Sequence, residues 1–454
     1  MPAALLVAYS APVALARGRM QWILAAPLIL APVLAWVLRS PNAWLILFFL
    51  TALLAPPLPV NFGNSGPHPA LAFAALGIVA GAVRLGEWRF RRGMLPGALV
   101  GFLVVLGVSV AFAALYSGPE IALQSLARVG LAGISIFVFF YVSAGPGRAG
   151  GISPKFMYLV ALGSAAFACL DFYFQFPAPA GFGAQYVWLD SGIYRRAQGL
   201  FYEASTLGNF CAFFLVMTAV ALARRVGNRL ILLIGGAIFA AALIFSYSRS
   251  SVVNVGVALV TLFILERSRF ALRRLFLLIG GAIAAGLAIV YQVFPAYAEV
   301  YWNRLWYSTA NFLSSTERVL NGRAEAWLTL TQFLMAHPWH AIVGVGYKTL
   351  PYSDFVGQPV VADNMYLSLL VETGLAGLAT LLVLNFAILR AGYFAARSSD
   401  PEKSFYGTWI FCFWTAEMVQ MLSADVLTFW RVMPVYLWVL AMAVREPAHE
   451  NSLP

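Results

Sequence analysis

Apolar runs of roughly 20 residues alternate with short polar connections along almost the whole chain. An α-helix of that length crosses the hydrocarbon core of a bilayer. To within about four residues at each end, the runs predict membrane-spanning helices over 20–38, 42–60, 69–86, 94–115, 121–145, 155–175, 203–222, 229–247, 251–266, 274–293, 363–395, 405–423 and 427–444. Pro27 and Pro32 could divide the first run into a hairpin, so we predict 12 to 14 helices.

The composition agrees with this pattern. The chain has 454 residues, of which 61% are hydrophobic and only 10% charged, and soluble domains carry far more charge. We therefore predict an all-α polytopic membrane protein in which residues 1–454 form a single integral membrane domain. The cysteines, Cys169, Cys211 and Cys412, all fall in apolar runs and are interpreted as packing residues.

Basic residues divide the connections into two alternating sets. One set is short and basic, with Arg84/Arg89/Arg91/Arg92, Arg148/Lys155, Arg224/Arg225/Arg229, Arg267/Arg269/Arg273/Arg274 and Arg397/Lys403. Lysine and arginine mark cytoplasmic loops, so the other set is predicted to face outward. The net charge of +11 is then a topology signal, and no nucleic-acid partner is expected.

The longest outward connection covers residues 294–362 and is rich in Trp and Tyr. Between Thr316 and His337 its pattern predicts an amphipathic helix at the membrane interface. We describe this stretch as a long periplasmic loop that contains short helices.

Six cations lie on the side that the positive-inside rule leaves poor in positive charge. They are Arg195, Arg196, Arg249, Arg318, Arg323 and Lys348. Fixed cations at a membrane surface suit a phosphate or another polyanion. Snorkelling of the same side chains to anionic lipid headgroups is the alternative interpretation.

Two of the sequence segments that contain these cations lie next to predicted helices. Arg195 and Arg196 precede a helix that starts near Glu203, so forked side-chain donors and free helix N–H groups would both face an anion. Arg249 lies between two apolar runs with almost no loop. It must therefore sit at the outer membrane boundary, where it needs a counter-ion, a wet cavity or a route to the headgroups.

The third segment contains Gly344 and Gly346, which permit a tight backbone path, followed by a donor and a cation at Tyr347 and Lys348. His337 and His340 nearby are too few for a zinc site. No metal or other cofactor is expected.

A last segment opens the long helix after residue 362. Asp363 either caps this helix or acts as a base, and Asn364 follows it. Glu372 lies deep in the same apolar run and needs a partner. Asp425 and Arg431 are candidates by depth.

These segments resemble the O-antigen polymerase and ligase superfamily, which comprises Wzy-type polymerases and WaaL-type ligases. The resemblance rests on Arg196-Ala-Gln-Gly-Leu-Phe, on Ser248-Arg249-Ser250, and on a series from Asn321-Gly-Arg through Gly344-Val-Gly346-Tyr347 to Asp363-Asn364 and Glu372-Thr-Gly374. By motif it covers residues 190 to 380, and by topology the whole chain.

The resemblance implies a GT-C-like, inverting, metal-independent glycosyltransferase in the bacterial inner membrane, with its active site facing the periplasm. Its donor would be an undecaprenyl-diphosphate-linked oligosaccharide, and membrane lipids and a chain-length regulator would be partners. Arg196 and Arg249 would hold the diphosphate, supported by Arg195, Arg323, Tyr347, Lys348 and Asn364. Asp363 or Glu203 would accept the proton of the attacking hydroxyl.

Within this superfamily the sequence favours a polysaccharide polymerase of the O-antigen or exopolysaccharide type. Ligases typically carry His-Asn where this chain has Asp363-Asn364. A ligase that transfers glycan to lipid A core is the alternative. A flippase or transporter is a weaker one, because the chain shows no repeated halves.

Overall fold

The computed structural model describes residues 32–58, 68–146, 152–177, 183–266 and 323–446 apart from positions 38, 190, 191 and 202, with a few isolated positions elsewhere. These residues form α1 (Ala43–Leu54), α2 (Ala70–Val83), α3 (Met94–Ser117), α4 (Pro119–Ser143), α5 (Pro154–Phe174), β1 (Tyr186–Leu189), β2 (Gly192–Arg195), α6 (Ala204–Arg224), α7 (Arg229–Phe245), α8 (Arg249–Glu266), α9 (Arg323–Ala336), α10 (Trp339–Val343), α11 (Met365–Ala396), α12 (Pro401–Gln420) and α13 (Met433–Val444). Short 3-10 turns cover Leu85–Glu87, Asp354–Val356 and Val426–Thr428.

The apolar runs become helices, as predicted. In the part of the chain described, α3, α4, α5, α6, α8 and α11 are long and apolar enough to cross a membrane, and α1, α2, α7 and α13 are shorter apolar helices. The prediction of an all-α polytopic membrane protein is therefore confirmed. The predicted runs 20–38 and 274–293 lie largely outside the described residues, so the total of 12 to 14 helices stays a prediction.

Local capping chemistry moves some helix ends away from the hydropathy limits. α12 begins at Pro401, four residues before the predicted run, because the Asp400 side chain accepts hydrogen bonds from the amides of Glu402 and Lys403. A capping carboxylate of this kind satisfies the free N–H groups of the first turn. The predicted amphipathic helix near residues 316–337 is α9, beginning at Arg323 among the described residues.

One feature of the fold was not predicted. β1 and β2 form an antiparallel hairpin between α5 and α6, with Tyr186 paired with Arg195. Each strand has four residues, which is too short for an alternating pattern to stand out. A short connection after the hairpin leads into α6.

The helices cross in turn, so the described chain has two ends. We call one the loop end, which contains the described residues within 176–203, 246–249, 323–364 and 421–432. We call the other the basic end, with residues 84–93, 224–229 and 397–403. Contacts such as Ser117 Oγ to Ser353 Oγ (2.8 Å) hold the loop end together, and the Arg224–Glu266 ion pair (2.7 Å) does so at the basic end.

The core is centred on α6, which is buried along almost its whole length and packs against α7, α8 and α12. Small residues let these helices approach closely, as is usual between membrane helices. A Cβ at Gly208 would lie 2.6 Å from Ser248 Cβ, so this glycine lets the turn before α8 pack directly on α6.

Candidate functional site

The segment from Arg195 to Gly199 is fixed by a buried carboxylate on α5. Asp171 Oδ1 accepts from Arg195 Nη2 at 3.3 Å, and Oδ2 accepts from the amides of Gln198 and Gly199 at 3.3 and 3.0 Å. Asp171 is only 3% exposed, so its charge is held by these three donors. Arg195 therefore stabilises the segment.

Further contacts hold this segment and Leu200 from the end of α7 and from the connection before α13. The Ala197 amide donates to Phe245 O at the end of α7 (2.9 Å). Arg431 donates to Leu200 O, to Ala52 O (2.7 Å) and to Ala55 O (2.9 Å). Arg431 is thus engaged by backbone carbonyls, and the predicted pairing of Arg431 with Glu372 is wrong.

Arg196 points away from Asp171. Its Nε donates to Ser246 O at 2.8 Å, which places the guanidinium beside the turn between α7 and α8. That turn carries Tyr247 with a φ of 52° and leads into Arg249, the first residue of α8. Arg196 and Arg249 therefore lie close together although 53 residues of sequence separate them.

Gly344 and Gly346 join the third segment to a break in α11 at Gly374. Gly374 has a φ of 69° inside this helix, and the break exposes the carbonyls of Val371 and Glu372. The amides of Val345 and Gly346 donate to these carbonyls at 3.0 and 2.8 Å. Backbone groups freed inside a membrane helix need partners of this kind.

The glycine positions leave no room for side chains. A Cβ at Gly344 would collide with Glu372 O, and one at Gly374 with Ile342 O. A Cβ at Gly346 would lie 2.5 Å from Ala113 Cα on α3. Ala113 and Ser109, whose Oγ accepts from the Tyr347 amide (3.3 Å), lie up to two turns below Ser117. The segment thus reaches about 12 Å down the bundle, at 1.5 Å per helical residue.

Arg323 and Asp363 pair across the mouth of this region, with Nε to Oδ2 at 3.1 Å. Asp363 has a φ of 45° and does not cap α11. Asn364 does, because its Oδ1 accepts from the Leu367 amide at 3.1 Å. The prediction that Asp363 caps the helix is wrong, and its carboxylate faces Arg323.

We call Arg196, Arg249, Arg323, Glu203 and Asp363 the outer cluster. The charges of the other four act on Arg196, and the charge of Arg323 also acts on Arg249. Burial lowers the pKa of Arg196 to about 10, so it stays protonated at neutral pH. Three guanidinium groups thus face two carboxylates at the loop end.

Glu203 differs from Asp363 in its surroundings. Its Oε2 accepts from Ser205 Oγ at 3.1 Å, directly before the first turn of α6. Burial raises the pKa of Glu203, and the negative charge of Asp363 adds to this rise. A carboxylate with a raised pKa is a stronger base than an exposed one.

Below the outer cluster lies a second group, the inner cluster, which contains Lys348, Asp425, Glu372 and Arg128. Lys348 forms an ion pair with Asp425, and the charge of Glu372 acts on Lys348. Burial lowers the pKa of Lys348 to about 8 despite Glu372. Glu372 thus faces Lys348, and the prediction that Asp425 is its partner is also wrong.

Sequence reasoning missed Arg128 and Asp171. Arg128 lies nine residues into α4, donates to Tyr352 OH at 3.1 Å, and its charge acts on Glu203 and Lys348. A charged residue within an apolar helix was the available signal for both residues.

The predicted site residues therefore divide into two groups. Arg196, Arg249, Arg323, Lys348, Glu203 and Asp363 meet at the loop end. Arg195 holds Asp171, Asn364 caps α11, and Tyr347 is 1% exposed with burial raising its pKa. Arg318 lies outside the described residues.

A buried polar network runs beneath the outer cluster. Asn209 and Asn254 each donate to Glu417 Oε2 at 2.7 Å, and Gln420 Nε2 donates to Ser251 Oγ at 3.3 Å. These bonds join α6, α8 and α12. On α8 they are made by Ser251 and Asn254, which follow Arg249 by two and five residues.

The described residues hold no group of three or more His, Cys, Asp or Glu side chains suited to a metal ion. His337 and His340 have ring centroids 6.2 Å apart, and both pack on Phe333.

Residues 234–382 match the model of the O-antigen ligase family. This stretch includes Arg249, Arg323, Lys348 and Asp363, whereas Arg196 and Glu203 precede it. The predicted resemblance to the O-antigen polymerase and ligase superfamily is thereby confirmed. No match was found among curated proteins.

Proposed function

We propose, from this family match and the outer cluster, that the protein is a polysaccharide polymerase of the inner membrane. It would transfer a glycan from an undecaprenyl-diphosphate-linked donor to a lipid-linked acceptor on the periplasmic side. The observation that supports this most is the meeting of Arg196, Arg249 and Arg323 with two carboxylates at one end of the helices. A donor diphosphate carries negative charge that these guanidinium groups can bind in a forked geometry.

The reaction we propose is a single displacement. An acceptor hydroxyl oxygen attacks the anomeric carbon as the bond from this carbon to the phosphate oxygen breaks. The bonding electrons leave with the lipid diphosphate, so negative charge grows there in the transition state. Fixed cations at that position lower the barrier. Attack from the face opposite the leaving group inverts the anomeric configuration, as in a GT-C-type enzyme without a metal.

The hydroxyl proton needs an acceptor, and we propose Glu203 for this role ahead of Asp363. Asp363 is paired with Arg323, so its carboxylate is already engaged by a guanidinium group. Burial raises the pKa of Glu203, which makes its carboxylate a stronger base. Asp363 would then hold Arg323 against the diphosphate. Lys348 and Arg128 would support the site from below.

The choice of polymerase over ligase rests on Asp363-Asn364, where ligases typically have His-Asn. The family match itself bears the ligase name, so the ligase is the second candidate. A chain-length regulator as a partner stays a prediction.

The acceptor separates the two candidates. Purified protein given lipid-linked repeat units alone should extend them if it is a polymerase, whereas a ligase needs lipid A core. Both activities should persist in EDTA. Glu203→Gln should abolish extension while donor binding is retained, and Asp363→Asn should weaken donor binding. Absence of transfer to either acceptor, with donor bound, would overturn the proposed function.

A further inference from the structure

A cleft at the basic end lies about 30 Å from the outer cluster, as estimated from the length of α3. It has a volume of about 320 Å³ and opens between the start of α3, the end of α4, the last third of α11 and the residues around Val444. It is separate from the proposed active site. Its lining combines arginines at the mouth with apolar walls further in.

Four arginines line this cleft: Arg89, Arg91, Arg92 and Arg390. One carboxylate, Glu446, lies among them and pairs with Arg91. Among the described residues, no carboxylate forms an ion pair with Arg89, Arg92 or Arg390. The cleft therefore has an excess of three positive charges for an anion.

Arg390 differs from the other three arginines because it lies on a helix and not in the connection before α3. This residue lies within α11, six residues before its last residue Ala396. Its guanidinium stacks on Phe394 with 5.6 Å to the ring centroid. Its Nη1 also lies 3.8 Å from Met94 Sδ at the start of α3, so the guanidinium group faces the cleft between these two helices.

The cleft has an apolar wall. It is formed by Leu95, Phe139, Phe140, Ala387, Ala391 and Phe394, of which Leu95, Phe139 and Ala387 are buried. Over residues 387–394 this wall extends about 10 Å along α11. A free phosphate would leave such a surface unused, whereas the first part of an acyl chain would cover it.

The start of α3 adds donors at the mouth. Gly93 precedes the helix without a side-chain cap, and no acidic residue occupies the first turn. The free amides and the positive end of the helix dipole favour an anion there.

We propose that this cleft binds an anionic glycerophospholipid, with its phosphate among Arg89, Arg92 and Arg390 and its acyl chains against α4 and α11. Basic pockets between helices recognise lipid headgroups by this chemistry. The proposal is independent of the enzymatic reaction.

Native mass spectrometry of the full chain in mild detergent tests the proposal, with phosphatidylglycerol and phosphatidylcholine as probes. We expect phosphatidylglycerol to bind more tightly by at least about ten-fold. The double variant Arg92→Gln/Arg390→Gln should lose this preference, by about thirty-fold in affinity. The control Arg229→Gln/Arg397→Gln removes the same charge at the same end but outside the cleft, and should bind like the wild type.

A second variant keeps every arginine. Ala391→Trp fills the apolar wall, so it should also lose phosphatidylglycerol if the acyl chains enter the cleft. If the double variant fails to fold, Ala391→Trp alone tests whether the cleft binds the lipid. If Ala391→Trp binds phosphatidylglycerol like the wild type, or if the control loses as much affinity as the double variant, the lipid is attracted by general surface charge. Either result would overturn the proposal. Full displacement of the lipid by inorganic phosphate would overturn the lipid assignment.

Discussion

Three residues other than glycine at the candidate site have positive φ angles: Tyr247, Lys348 and Asp363, with values of 52°, 56° and 45°. Such conformations cost about 1–3 kcal/mol each and persist where the surroundings fix them. Here the Gly346–Glu372 hydrogen bond and the Arg323–Asp363 pair provide that constraint. The strain is therefore concentrated on the residues that carry or flank the charged clusters.

Arg195 and Arg196 offer a matched pair of substitutions. Arg196→Lys should reduce polymer formation at least about ten-fold, because an ammonium cannot replace the forked donors. Arg195→Gln should instead lower the free energy of unfolding by about 3 kcal/mol, because it leaves Asp171 buried without its ion pair. Thermal unfolding and turnover per folded molecule should be measured for both. A large loss of turnover in Arg195→Gln at unchanged stability would contradict this division.

The pH dependence of the rate should show two limbs. Glu203 must be deprotonated to act as a base, and its pKa is raised, so the rate should fall with decreasing pH already above the usual carboxyl range. Lys348 loses its proton as the pH rises through about 8, so the rate should also fall on the alkaline side. Arginine stays charged there, and Lys348→Arg should therefore remove the alkaline limb. An alkaline limb unchanged in this variant would exclude Lys348 as its source.

At the scale of elements, residues 344–346 and the break in α11 form a join lined by glycines. This join fixes the positions of the outer and inner clusters relative to each other. It brings Lys348 to Asp425 and leaves Asp363 at the mouth, next to Arg323. The α11 break and the inserted segment satisfy each other's backbone groups. Neither would be stable inside a membrane protein alone.

Gly374→Ala should destabilise the protein by several kcal/mol, because its Cβ would strike Ile342 O and its φ is positive. Gly107→Ala is the control, since nothing lies within 4 Å of a Cβ there and alanine favours a helix. The melting temperature in detergent should drop for Gly374→Ala and stay equal or rise for Gly107→Ala. Equal melting temperatures for the two variants would contradict the proposed role of the join.

The difference between Arg195 and Arg196 shows how far sequence reasoning extends. Hydropathy predicts the helices because each depends on its own run of residues. The sequence predicts one role for the two adjacent arginines. Side chains alternate along an extended chain, however, so Arg195 at the end of β2 contacts Asp171 and Arg196 contacts Ser246. The pairing of residue 345 with residue 371 has no local signal either. The sequence motifs predicted the residues of the outer cluster. The roles of the other residues depend on contacts between positions far apart in the sequence.

At the scale of the whole molecule, charge differs between the two ends. Each of the described connections at the basic end carries arginine or lysine, whereas the cations of the loop end are accompanied by Glu203, Asp363, Glu372 and Asp425. From the positive-inside rule we predict an orientation with the basic end in the cytoplasm.

Cysteine labelling checks this orientation. Gln358→Cys lies on an exposed stretch of the loop end and Val226→Cys at the basic end, where Val226 is 49% exposed. In intact spheroplasts a membrane-impermeant maleimide should label Gln358→Cys, and Val226→Cys only after permeabilisation. The three native cysteines should be replaced by alanine first. Labelling in the reverse order would place the candidate site in the cytoplasm and remove the periplasmic assignment.

The join at Gly374 also limits how this protein can be recombined with its relatives. Residues 342–350 and 369–377 interlock through backbone contacts, so a domain exchange with a crossover point between them would unite halves from different parents. Such a chimera should be degraded in the cell even if every motif residue is retained. Crossovers before residue 323 or after residue 382 keep the interlocked pair from one parent. Libraries of such chimeras should exchange residues 323–382 as one block.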